Sequence, residues 1–290
     1  MSHCEATLLA DRGALRITGA EARKFLQGVI TNDINKLRDR TAIHTGLLSP
    51  QGKVLYDFFV IAADDGLLID VARAEASELA KRLGFYRLRA RAEISEEPSF
   101  TVGAVWGGEP QIPEGVILYA DPRLPELGFR ILLPPGADMT SLGCSVAPEA
   151  DYHIKRIALG VPDGGRDYAY GDVFPHEALF DQLNGVDFEK GCFVGQEVVS
   201  RMQHRGTARK RVVPVEGNGP LPAPGTGVEA GGRPLGALGS VSGASGLALL
   251  RLDRAGDAIA RGTPLKAGDV TLTLRRPAFA RFDVPSAVPA

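Results

Sequence analysis

The residues of this 290-residue chain best suited to chemistry lie in one short run, Lys190-Gly191-Cys192-Phe193-Val194-Gly195-Gln196-Glu197. A thiol sits between two glycines, a lysine stands two positions before it, and an amide and a carboxylate follow. Cationic neighbours and a helix N-terminus both favour thiolate, the nucleophilic and metal-binding form of cysteine. Lys190 and Cys192 are therefore the candidate reactive pair. The competing reading is a buried cysteine that packs as a small hydrophobe among Phe188, Phe193 and Val194.

The elements that must position this run can be read outward from it. The glycines call for backbone that bends sharply or comes close to something. The segment from Val198 to Gly206 reads as a helix carrying Arg201 and Arg205 and stopped at its glycine. With His204, Arg209, Lys210 and Arg211 it forms the most basic stretch of the chain, a solvated face by default and an anion or RNA phosphate site otherwise. Upstream, residues 150–160 predict a helix ended by Gly160, with Tyr152 near its start offering a ring to the core or to a flat ligand. Phe174-Pro175-His176-Glu177 precedes an apolar turn, where Glu177 complements a helix N-terminus or accepts two parallel donors from a ligand.

Lys-Gly-Cys-Phe-Val-Gly-Gln-Glu, followed at short distance by Arg205-Gly206, resembles the signature of the YgfZ family. Those are folate-binding proteins of iron–sulfur cluster maintenance, similar in fold to the T-protein (aminomethyltransferase) of the glycine cleavage system. Weaker similarity runs from about residue 8 to about residue 275. The resemblance implies a three-domain ring with tetrahydrofolate in its central cavity, the pterin end meeting Tyr152 and Glu177, and Cys192 at the rim. Lys190 would bias the thiol, and Gln196, Glu197, Arg201 and Arg205 would hold the loop or the folate tail. The helix that ends near Gln27-Gly28 and the polar loop Thr31-Asn32-Asp33-Ile34 would line the cavity. Implied partners are folate and iron–sulfur client or assembly proteins, and the reading is of an accessory protein rather than a classical enzyme. A folate-dependent aminomethyltransferase is the alternative. T-protein relatives carry adjacent aspartates where this chain has Tyr56-Asp57, which weighs against that reaction.

The chain in order predicts an α+β protein with a small C-terminal β-barrel. Residues 6–17 read as a hairpin about Asp11-Arg12-Gly13. Thr18-Gly19-Ala20-Glu21 has the form of a capping box before Ala22, Phe25, Leu26 and Val29 at helical spacing. Val54 to Ala62 is a continuous apolar strand, Asp65-Gly66 a hairpin turn, and residues 74–83 a short helix. Tyr86 to Ile94 alternates as a half-buried strand with Arg87, Arg89 and Arg91 outward. Residues 46–145 are assigned to a ferredoxin-like sheet domain and 1–45 with 146–211 to a discontinuous folate-binding domain. Residues 212–282, rich in Gly and Pro with short apolar runs, form the barrel, and 283–290 a disordered tail.

Composition narrows the rest. A net charge of −2 argues against wholesale nucleic-acid or membrane coating. No apolar run approaches the roughly 20 residues of a membrane span. The start, Met1-Ser2-His3-Cys4-Glu5, lacks signal- and transit-peptide character. Three cysteines, Cys4, Cys144 and Cys192, are odd in number and widely spread, which reads as a reducing compartment, here the cytoplasm. No Walker A motif, post-strand G-x-G-x-x-G or C-x-x-C occurs, and the histidines lack zinc spacing, so no metal ligands are assigned. A resident iron–sulfur cluster normally takes about four thiolates, more than this chain holds.

Overall fold

The computed structural model describes residues 4–39, 41–206 and 208–286. The chain forms two compact units, Met1–Tyr152 with Leu183–Gln196, and His153–Gln182 with Glu197–Ala290.

The first unit opens with β1 (Glu5–Leu8), β2 (Arg12–Thr18), α1 (Ala22–Gln27), β3 (Ala42–Leu48), β4 (Val54–Ala63), β5 (Gly66–Ala72), α2 (Ala76–Arg87) and β6 (Glu93–Glu96). It continues with β7 (Thr101–Trp106), β8 (Ile117–Ala120), β9 (Phe129–Leu133) and β10 (Ser145–Val146), and reaches α3 (Glu149–Leu159). Among the described residues the strands make two sheets, ordered β3-β4-β5-β2-β6 and β10-β1-β7-β9-β8. Within the first, β4-β5-β2-β6 with α1 and α2 as crossovers is the split βαβ arrangement of ferredoxin-like folds. β3 extends its edge.

The apolar continuity of β4 has a direct cause: both of its faces are covered. Phe58 and Val60 pack with Phe25, Leu26, Leu79 and Leu83 of the helices. Phe59 and Ile61 point the other way, with Leu68, onto Tyr119 and Leu132 of the second sheet. Each such side chain, fully buried, contributes about 1.5–3 kcal/mol.

Several expectations are corrected here. Residues 6–17 are not a hairpin: β1 pairs with β7 and β10, β2 with β5 and β6, so the chain changes sheet at the turn. The capping box does not close, because Glu21 accepts the Arg91 backbone N–H at 2.8 Å and α1 begins without a side-chain cap. Tyr86–Ile94 is not one strand. Leu79 and Leu83, one turn apart, bury the helix face and carry α2 to Arg87, where Leu88 at φ +49° ends it. The boundary expected at 45/46 falls inside β3, and the ferredoxin-like motif spans residues 12–96 rather than 46–145.

The cysteine reading also changes. Cys4 and Cys144 form a disulfide across 140 positions. Parallel pairing of Glu5 with Ser145 sets the preceding residues side by side, with Cα atoms 4.8 Å apart. That proximity is a product of tertiary pairing and leaves no trace in cysteine spacing.

The second unit holds α4 (Gln196–Arg205) after its first residue and a closed barrel. The barrel strands are β11 (Lys210–Gly217), β12 (Gly227–Ala230), β13 (Arg233–Ser242), β14 (Ser245–Arg251), β15 (Leu265–Ala267) and β16 (Val270–Leu274), ordered β11-β14-β13-β12-β15-β16, with α5 (Leu252–Ala260) after β14. Val213, Leu238, Leu250, Leu265 and Leu272 fill it. The tail expected to be disordered from 283 is partly built in: Val284 packs against the barrel core. Residues 287–290 lie outside the described residues.

Candidate functional site

In the first unit Cys192 is exposed and is the free cysteine among the described residues. Its surroundings are fixed. The Lys190 side chain is buried, and its ammonium donates to the carbonyls of Gln27 at 2.9 Å, Ile30 at 2.6 Å and Asn32 at 2.9 Å. Those carbonyls belong to the end of α1 and the loop after it, where helical partners run out. The ammonium also stands 5.2 Å from the Phe193 ring centroid, a cation–π distance, and Phe193 is buried. Gly195, at φ +80°, leaves no room for a side chain: a Cβ there would meet the Ser49 carbonyl oxygen at 2.6 Å. Cys192 is thus held outward on a loop anchored on both sides. Burial lowers the Lys190 pKa to about 8, while Asp33 and Asp187 pull it upward. All three ammonium protons face carbonyls, so Lys190 positions the loop instead of donating to the thiol.

Thr31 and Asn32 are interior residues of the same unit. Asn32 donates to the carbonyls of His44 and Asn184 at 2.8 and 2.7 Å, and Lys36 pairs with Asp187 at 2.7 Å. Asn32, Lys36, His44, Pro122 and Asn184 line a cavity of about 220 Å³. Burial, with Arg123 adding to it, lowers the His44 pKa to about 4 against the pull of Asp57, so the ring is neutral at pH 7. Asp57 lies within β4 and is buried.

Tyr152 is buried, and its hydroxyl accepts from Arg123 at 3.0 Å and Arg130 at 3.3 Å. Its ring leans on Trp106, centroids 6.1 Å apart. Such a ring has no open face on which a pterin can stack, so the stacking role expected of Tyr152 does not fit. The two arginines belong to a buried network that sequence reasoning missed. Asp70 on β5 accepts from Arg12 at 2.7 Å, from Arg130 at 2.7 Å and from the Tyr119 hydroxyl at 2.8 Å. Three guanidinium carbons, of Arg12, Arg123 and Arg130, lie 4.7–5.7 Å from the Phe59 ring centroid. Burial alone would raise the Asp70 pKa; Arg12, Arg130 and Tyr119 outweigh it and hold the carboxyl below its usual range. The one sequence signal was an acid inside the apolar run Leu67-Leu68-Ile69-Asp70-Val71.

In the second unit, Glu177 is half-buried and one carboxylate oxygen, Oε2, accepts the Phe174 backbone N–H at 2.8 Å. Glu197 and Arg201 pair with each other at 2.7 Å on the exposed face of α4, a contact worth a few tenths of a kcal/mol. Arg205 is exposed near the end of that helix, and Gln196, which opens it, is half-buried in the first unit. Arg211, counted with the basic stretch, is interior. Its guanidinium forks onto Asp181 at 2.9 Å by both nitrogens and sits 4.4 Å over the Phe282 ring. The structure therefore joins Lys190 and Cys192 on one loop and Glu197 and Arg201 on one helix, and places Tyr152 in the first unit and Glu177 in the second.

An α+β unit with a split βαβ sheet, followed by a six-stranded barrel, is the architecture of the glycine-cleavage aminomethyltransferases. The crystal structure of glycine cleavage system aminomethyltransferase T from Bartonella henselae superposes with a TM-score of 0.74 over 96% of this chain and 87% of that one, at 15% identity. A model of the CAF17 C-terminal β-barrel domain matches residues 209–282. The human mitochondrial iron–sulfur cluster assembly factor IBA57 is 32% identical over 270 residues, covering 83% of this chain and 76% of that protein. The Neurospora crassa IBA57 homolog is 34% identical over 248 residues, 76% of this chain and 56% of the relative. The chain belongs to the IBA57 family of iron–sulfur cluster assembly factors. It spans little more than half the length of the fungal relatives it matches. Both named relatives are mitochondrial, which overturns the cytoplasmic expectation. The cysteine argument behind that expectation had already failed at the Cys4–Cys144 disulfide.

Proposed function

We propose that this chain assists the assembly or repair of [4Fe–4S] clusters, with Cys192 as the thiol that engages the cluster or its carrier. The observation that carries the reading is the exposure of Cys192 on a loop whose flanks, Lys190 and Phe193, are buried. A thiolate at a fixed, solvent-facing position can donate to iron without rearrangement of the fold. One cysteine is one ligand, and a cluster takes about four, so the remaining thiolates come from an assembly partner or client. Family membership supports the same process. YgfZ-type cluster maintenance is the finer version of this reading, on the strength of the Lys190–Glu197 motif.

The test is in cells. A Cys192→Ser replacement is expected to lower the activity of a [4Fe–4S] enzyme, normalised to its protein level, as far as full deletion does under oxidative stress. The variant protein should stay folded and abundant. If deletion itself leaves cluster enzymes untouched, the reading is wrong and aminomethyl transfer becomes the better one.

Tetrahydrofolate is proposed as a ligand on narrower grounds. Glu177 keeps its second oxygen, Oε1, to accept from a pterin amino group, while Arg201 and Arg205 are exposed cations suited to glutamate carboxylates. Tyr152 has no part in this version. Calorimetric titration with tetrahydrofolate should give a saturable isotherm that Glu177→Gln weakens at least tenfold; no heat of binding to the wild-type chain would remove folate from the proposal.

A further inference from the structure

The barrel carries a second concave site, of about 410 Å³, between the β12–β13 hairpin and α5. Ala230, Leu235 and Ala258 are its buried members. Its rim is cationic: Arg233 comes from the start of β13, and Arg254 and Arg261 from α5 and the residue that ends it. Asp257 is the one acid among the lining residues, and it makes no ion pair with these arginines. Arg254 reaches across to the Pro234 carbonyl at 3.5 Å, a long contact that leaves most of its donors uncommitted.

The groove is built on regular structure, a β-hairpin and a helix. Gly231 and Gly232, at φ +56° and +76°, make the tight turn that pairs Ala230 with Arg233. Arg254, Asp257, Ala258 and Arg261 recur at i, i+3, i+4 and i+7, so they share one face, and Ala255 and Ala258 seat that helix on the barrel core. Three guanidiniums held around one hollow repel one another, and an anion entering it is attracted by all three.

We propose that this groove is a docking site for an acidic segment of a partner protein. Arg254 and Arg261 are two helical turns apart, about 10 Å along the axis, and Arg233 comes from the β13 side, so the cations are spread along a length of groove that a chain of several carboxylates can follow. An extended peptide with carboxylates on alternate residues presents them on one side and reaches both Arg254 and Arg261, and the guanidinium fork matches carboxylate geometry. Asp257 would accept a backbone N–H of that segment. No aromatic side chain lines the groove to stack bases, which disfavours single-stranded nucleic acid.

The experiment uses the full chain and a fluorescein-labelled peptide of alternating Glu and Gly, followed by anisotropy at low salt. Saturable binding is expected, weakened at least tenfold in an Arg233→Ala/Arg261→Ala double variant and by less than twofold in Arg89→Ala, which removes an exposed cation of the first unit. Single Arg254→Gln gives a second reading, a loss of about threefold, should the double variant unfold. The proposal is overturned if the peptide does not bind, if the double variant binds it equally well, or if an oligouridylate of equal charge displaces it at the same concentration as unlabelled peptide.

Discussion

The Lys190 ammonium nitrogen lies 2.6 Å from the carbonyl oxygen of Ile30, across 160 positions of chain. One side chain thereby closes the open end of α1 and fixes the loop that presents Cys192. Replacing it with methionine keeps the length and removes every donor, leaving buried carbonyls without partners. Lys190→Met is expected to cost about 2–3 kcal/mol in urea unfolding and to open the 190–195 loop to proteolysis. A loss under 0.5 kcal/mol would mean that the ammonium is not what holds this loop.

Thiol counting tests the cysteine pairing. Unfolded without reductant, the chain should react with one equivalent of a thiol reagent, at Cys192, and after reduction with three. In the native state Cys192 should react at once, because it is exposed. Three equivalents before reduction would refute the Cys4–Cys144 bond.

Acid stability should show His44. Its pKa falls from an ordinary 6.5 to about 4, so the unfolded chain binds the extra proton first as pH drops. Stability from this group is complete above pH 6.5 and declines between 6.5 and 4, by up to about 3 kcal/mol. His44→Asn should flatten that arm of the stability–pH curve, measured by urea midpoints at fixed ionic strength.

Asp70 governs a lower window. A carboxyl held below its usual range contributes stability above its unfolded pKa and loses it as pH falls through the folded value. Asp70→Asn leaves Arg12 and Arg130 buried beside a neutral amide, a change expected to cost about 3–5 kcal/mol. Thermal unfolding would read it, and an unchanged melting temperature would show that the arginines find other partners.

Much of the fold was legible because its causes are local or periodic. The helices at 22–27 and 149–159, the apolar β4 and the glycine-rich barrel follow from spacing and turn chemistry. The misreadings share another cause. Arg87, Arg89 and Arg91 alternate as a strand would, yet Leu79 and Leu83 set the register of α2 from beneath. Asp70, Arg123 and Arg130 sit far apart in sequence, and their meeting depends on how the two sheets pack. At the site, the motif around Cys192 was visible, but the role of Lys190 was not. A lysine two residues from a thiol suggests activation; only the carbonyls of Gln27, Ile30 and Asn32 show that its protons are already used.

Residues 183–196 return to a unit whose other members end at 152. Asn184, Asp187 and Lys190 then supply contacts for Asn32, Lys36 and the end of α1, strands and loops made 150 positions earlier. On a ribosome the residues up to 152 emerge before this segment and are finished late. Until residue 190 is out of the tunnel, the carbonyls after α1 can be satisfied only by water, and the surface later covered by the 183–196 segment stays open. Such long-range closure slows folding and lengthens exposure to aggregation. A nascent chain stalled before residue 183 should therefore be a chaperone substrate, whereas one stalled well beyond 196 should already protect its first 40 residues from protease.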